Sequence, residues 1–167
     1  MNKIISGMFW LNERLKKLEM FSGCLCLGVL FVVMIVNAAM RYCLRTGIDC
    51  SDELNQFLFV WLGFLAAAYT MGDDKHLNVT AFIGFLPRMI QYVLKQIMNV
   101  IMLVFFVIYI PELIKLLGQL AISNVMRVPL KYVYAVLPIS FGLMSYHIVC
   151  NMIIDTQKML KDRKGAK

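Results

Sequence analysis

Charged side chains are scarce in this chain. They form 16% of its 167 residues, while hydrophobic ones form 60%. A soluble domain is about a quarter charged and about half apolar. That imbalance excludes an ordinary water-soluble globule and indicates an integral membrane protein with a single helical domain. Short segments of alternating polar and apolar residues are lacking, which excludes a closed β-barrel, the other structure that spans lipid. Of the two histidines, His76 lies outside the apolar runs and His147 inside one, so they are not placed to share a metal or haem iron. The five cysteines show no metal-ligand spacing. Cys24, Cys26 and Cys150 fall in apolar runs and read as small hydrophobes. Cys43 and Cys50 share one short connection and read as an unpaired pair rather than a disulfide. No nucleophile stands in a pattern with a base, so the chain does not read as an enzyme.

What remains is apolar length. Runs at 20–40, 54–71, 90–110 and 132–154 read as transmembrane helices. At about 1.5 Å per residue, each with its flanks crosses a hydrocarbon core about 30 Å thick. The expected fold is therefore all-α: four transmembrane helices, plus one or two amphipathic interfacial helices. The net charge of +7 is unevenly placed. Lys3, Arg14, Lys16 and Lys17 precede the first run, and Lys75, Arg88 and Lys95 surround the middle connection. Lys158, Lys161, Arg163, Lys164 and Lys167 make a basic tail over 158–167. The positive-inside rule then puts both termini and the middle connection in the cytoplasm. Because this charge adjoins the spans, it reads as contact with membrane lipids and not with nucleic acid.

Residues 3–18 place Ile4, Met8, Leu11, Leu15 and Leu18 at helical spacing, with basic residues on the remainder. This predicts a helix lying in the interface, with Trp10 at headgroup level. Asn37, near the outer end of the first span, reaches the interface. Arg41 and Tyr42 then anchor that end, and Arg41 is also within reach of Asp52 or Glu53 across the short connection. Ser51 reads as the N-cap of the second span, with Asp52 and Glu53 in its first turn, where the helix dipole favours anions. The same two acids also suit contact with a partner on the outer side. Trp61 lies deep in that span, and its indole N–H favours a protein neighbour. Gly63 and Ala67, and likewise Ala66 and Thr70, are four apart, a spacing that lets another helix approach closely in lipid.

Gly72, Asp73, Asp74, Lys75 and His76 mark the inner exit, and residues 77–87 are apolar but too short to span. Glu112 and Lys115 are spaced to pair on one helical face near the surface. Pro138 is a candidate kink in the last span.

With these residues in view, the chain resembles the small membrane subunit of tripartite ATP-independent periplasmic (TRAP) transporters. The resemblance covers nearly the whole chain. It rests on its size, the four spans, Arg41–Tyr42 closing the first, and Ser51-Asp52-Glu53 opening the second. Its most specific part is Phe59-Val60-Trp61-Leu62-Gly63 through Ala66-Ala67-Ala68, followed by Gly72 and by His76 before an apolar stretch. Where this chain has Asp73-Asp74-Lys75, the family often has an arginine-rich step.

The resemblance implies a multi-pass subunit of the bacterial cell inner membrane, with two partners. A periplasmic binding protein captures an organic acid, such as sialic acid or a C4-dicarboxylate. A large membrane subunit carries the substrate and the coupling sodium ions. The small subunit is then a non-catalytic scaffold that binds no cofactor itself. Its expected partner-facing residues are Arg41, Tyr42, Asp52, Glu53, Trp61, Gly63, Ala66, Ala67, Thr70 and His76. The residues agree with a scaffold, since no charged or paired polar group lies at mid-membrane where transporters bind cargo. Two alternatives stay open: a stand-alone small multidrug exporter, which needs an embedded carboxylate, and a membrane haem or electron-carrier subunit.

Overall fold

The computed structural model describes residues 3–73 and 88–165. His76 and the apolar piece at 77–87 lie outside the described residues. The helices are α1 (Lys3–Cys43), α2 (Ser51–Gly72), α3 (Arg88–Gln119), a short α4 (Leu130–Tyr134) and α5 (Val136–Gly165). Among the described residues, four stretches are long and apolar enough to cross a membrane: Gly7–Cys43, Ser51–Gly72, Met89–Gln119 and Leu130–Gln157. The all-α fold with four spans is therefore observed. α1 packs along α2, α2 along α5, and α5 along α3. The outer faces of α1 and α3 expose large apolar residues such as Phe31, Ile35, Ile101 and Ile108. Such surfaces are stable where the solvent is lipid.

Helix boundaries depart from the sequence reading in four places. First, α1 is continuous for 41 residues, where an interfacial helix and a separate span are expected. No proline interrupts it, and its polar residues find partners inside the bundle. Trp10, Leu11 and Leu18 are exposed, while Asn12 and Glu19 are buried. The amphipathic pattern is thus real, but Asn12 and Glu19 turn into the protein while Glu13, Arg14 and Lys17 stay exposed. Second, Ser51 is not the N-cap. Its amide bonds to the Ile48 carbonyl at 3.0 Å, and this turn delivers Cys50 already near helical geometry, with φ −84° and ψ −6°. Cys50 therefore takes the cap position, and Ser51 is the first helical residue.

Third, α3 continues through Pro111 to Gln119. Proline removes one intrahelical N–H but does not have to end a helix. The predicted ion pair forms on this extension, with Lys115 Nζ 2.9 Å from Glu112 Oε1. Fourth, the backbone stays helical to Gly165, through most of the basic tail. Pro138 falls in the first turn of α5, after the break at Ala135, where a missing N–H costs little.

The α1–α2 and α3–α4 connections are tied by side chains and backbone pairing. Asn37 Oδ1 accepts from the Ile48 amide at 2.9 Å, so Asn37 braces the first connection instead of reaching the interface. In the second, Ile122 pairs with Pro129, and Arg127 adopts φ 53° in the tight return.

The apolar core joins α2, α3 and α5 through Ala68, Met71, Phe106, Met144 and Ile148. Phe141 sits at the meeting point of rings: its centroid is 4.9 Å from Phe106 and 6.3 Å from Phe64. A Phe→Ala change in an aqueous core costs about 3–5 kcal/mol. In lipid the transfer component falls away, and about 1–3 kcal/mol of lost packing remains. Phe141→Ala should therefore lower the thermal unfolding midpoint of the detergent-solubilised chain, while Phe59→Ala, at an exposed site, should leave it in place. Equal shifts would mean that Phe141 is not the packing centre.

Candidate functional site

The polar chemistry of the bundle gathers on one stretch of α5. His147 is fully buried there, between α1 and α2. Its Nδ1 lies 2.6 Å from Asn12 Oδ1 and its Nε2 lies 3.0 Å from Glu19 Oε1, both on α1. Asn12 and Glu19 are seven residues apart, two helical turns, and so present both groups on one face. An imidazolium would donate to both oxygens; a neutral ring needs one partner to supply the proton. Either way, both ring nitrogens are engaged. Glu19 Oε2 is also buried and has no hydrogen-bond partner among the described residues.

Neighbouring residues of α5 extend the seam. Tyr146 donates from its hydroxyl to the Met8 carbonyl of α1 at 3.1 Å. Asn151 Nδ2 donates to the Met71 carbonyl of α2 at 2.8 Å. Asp155 receives Lys95 of α3 at 2.7 Å, and Thr156 meets the Tyr92 hydroxyl at 3.0 Å. One helical stretch, 146–156, therefore holds all three other spans at the same end of the bundle.

Gly72 makes the junction possible. A Cβ there would stand 2.8 Å from Lys16 Cγ and 3.1 Å from His147 Cε1. Those distances are below ordinary contact, so a side chain at 72 would push α1 or α5 away. Glycine at the end of α2 lets three helices converge on one point.

The residues expected to face partners scatter. Tyr42, Arg41 and Asp52 are exposed, and among the described residues Arg41 forms no ion pair with either acid. Glu53 is half-buried and turned toward the outer loop, where its Oε2 accepts from the Met126 amide at 2.7 Å and the Ser123 hydroxyl at 3.1 Å. Trp61 is half-buried. Ala67 packs against the core, and Thr70 donates back to the Ala66 carbonyl at 2.7 Å. Gly63 and Ala66 are exposed, and a Cβ at Gly63 would meet nothing within 4 Å. With Phe59 they form an open strip on α2, on the side away from the buried Leu65, Ala68 and Met71. The small-residue spacing is thus divided between an inner and an outer face.

Sequence reasoning missed Asn12 and Asn151, set Glu19 aside as a charge near a span end, and gave His147 no structural role. A signal existed, in the polar positions 12, 16 and 19 sharing one face of the helix. Glu19 is the buried carboxylate that a proton-driven exporter would need, but one of its oxygens is already bound to His147.

Removing one member of a buried pair strands the other, at about 3–5 kcal/mol in water-soluble proteins. Interhelical hydrogen bonds in membranes average about 0.6 kcal/mol with a maximum near 1.7. Glu19→Leu and His147→Leu should each destabilise the chain, and the double variant should lose less than the two losses added. A coupling of about 1 kcal/mol or more is expected from unfolding in mixed micelles. Strict additivity would show that the pair contributes nothing as a pair.

Comparison with known proteins accords with this architecture. A family model described as "Tripartite ATP-independent periplasmic transporters, DctQ component" matches residues 30–158. A protein of Haemophilus influenzae (strain Rd), named as a TRAP transporter small permease protein, is 34% identical over 83 residues. That alignment spans about half of each chain, 48% of this one and 52% of the relative. The family match takes in the last third of α1, the whole of α2, α3 and α4, and α5 as far as residue 158, so that Met8, Asn12 and Glu19 of the seam precede it. The chain belongs to the DctQ component family of tripartite ATP-independent periplasmic transporters.

Proposed function

We propose that this chain is the small, non-catalytic scaffold subunit of a sodium-coupled importer of an organic acid in the bacterial inner membrane. In this reading the large subunit holds the sodium ions and the cargo, and a periplasmic binding protein delivers that cargo. Both termini and the middle connection lie on the cytoplasmic side in this reading, which the placement of lysine and arginine supports.

The observation that carries the proposal is the contrast between two faces of α2. The inner face is closed by Leu65, Ala68, Met71 and Gly72 against its own bundle. The outer strip of Phe59, Gly63 and Ala66 is exposed and has small side chains at its centre. In lipid, close backbone approach at small residues is a main source of helix association. Such a strip gives a large subunit a place to pack without disturbing the seam at His147. Asp52, exposed at the start of the same helix, is the acid available to meet a binding protein. Glu53 instead braces the outer loop.

Replacing Gly63 and Ala66 together by leucine should abolish copurification of the large subunit while the isolated chain remains folded and helical. Unchanged copurification would remove this interface. Asp52→Lys should lower uptake with assembly intact. Translocation of solute by the reconstituted chain alone would overturn the scaffold role itself.

A further inference from the structure

α1 carries a row of exposed side chains at the level where α2 ends, and both helices fix that level. On α2, Gly72 is the last helical residue, and it lies against Lys16 of α1. On α1, Lys17 and Arg41 are twenty-four residues apart, about 36 Å of helix. That length matches a hydrocarbon core with its borders. Between the two, only Glu19 is charged, and it is buried against His147. Lys17 therefore stands at a headgroup boundary, whichever way the bundle is oriented.

Trp10, Arg14, Lys17, Phe21 and Leu25 follow one another at spacings of three and four and so share one face of α1. All five are exposed. The Arg14 guanidinium lies over the Trp10 ring, 5.1 Å from its centroid, which steadies it. Lys17 also borders a cavity of about 250 Å³ between α1 and α2, which Tyr69 lines as well. The acids nearby are already engaged. Glu13 pairs with Lys16, Glu19 meets His147, and Asp73 has an interaction of its own. Arg14 and Lys17 have no ion-pair partner among the described residues. Two uncompensated cations thus stand one helical turn apart, directly above the apolar stripe of Phe21 and Leu25.

We propose that Arg14 and Lys17 bind the phosphate of an anionic phospholipid, with the Tyr69 hydroxyl as a further donor and the acyl chains lying along Phe21 and Leu25. Guanidinium and ammonium groups are the usual donors to phosphate oxygens. A soluble phosphate ester would satisfy the two cations but leave the apolar stripe unused, so the source is lipid. An ethanolamine or choline headgroup would bring a third cation to this place, where the acids are already engaged. The preference is therefore for a glycerol headgroup, which adds no positive charge. This assignment depends on the bilayer setting of the helices, not on the transport role.

The test uses the purified, delipidated full chain in detergent. Phosphatidylglycerol, phosphatidylethanolamine and phosphatidylcholine of matched acyl chains are offered in competition, and native mass spectrometry reads which is retained. Phosphatidylglycerol should be retained in preference to both others. Arg14→Gln and Lys17→Gln should each weaken its retention about tenfold, the loss of one hydrogen bond to a charged group, and Lys17→Arg should keep it. Arg41→Gln removes a cation at the opposite boundary and should leave retention unchanged. All three positions are exposed, so these changes do not disturb packing. Equal retention of the three lipids would overturn the site. So would an equal loss in Arg41→Gln, or unaltered retention in Arg14→Gln and Lys17→Gln. Displacement of the lipid by soluble glycerol phosphate at equal concentration would also overturn it, because the ligand would then be a phosphomonoester from solution.

Discussion

The bundle depends on polar atoms that bind across helices in a medium where apolar contact has little directing power. Lipid tails solvate leucine as well as another leucine does, so hydrophobic matching alone would leave the four spans free to slide. Residues 146–156 of α5 remove that freedom. Tyr146 and His147 hold α1, Asn151 holds α2, and Asp155 and Thr156 hold α3. Each bond joins groups that would be costly to leave bare in hydrocarbon, so register is set by avoidance of unpaired polar atoms. Gly72 then decides how close the helices come at that point.

This arrangement separates rigidity from recognition. Polar groups are used at one end, inside, to hold the chain's own helices. At the opposite end, Glu53 and Asn37 tie the α3–α4 and α1–α2 connections. Between them the exposed strip of α2 has small side chains, Gly63 and Ala66, at its centre. A chain built this way presents a fixed surface to whatever packs beside it in the bilayer.

Much of the fold is legible in the sequence for a simple reason. In a bilayer, backbone groups must bond within their own helix, so length and apolarity alone give the spans. The ion pair of Glu112 with Lys115 was legible too, being local to one helix. The seam was not, because Asn12, Glu19 and His147 are distant in sequence and each has an ordinary local reading. Asn12 looks like part of a solvated polar face, Glu19 like a span-end charge, and His147 like an isolated ring in an apolar run. Ser51 failed as a cap because the preceding turn, tied by its own backbone hydrogen bond, had already begun the helix.

By itself, then, the chain of residues determined that there are four spans, where they lie, and the family to which they belong. The spans follow from composition and apolar length along one helix at a time, and the family from the likeness of the motifs on them. Only the tertiary structure decided which way each amphipathic face turns. Asn12 and Glu19 of α1 face protein because buried carboxylate and amide groups need partners, and those partners stand on α5, more than a hundred residues later. The same packing decided that Ala67 belongs to the core while Gly63 and Ala66 remain outside, since the α2 face that meets α5 is chosen by where that helix is held.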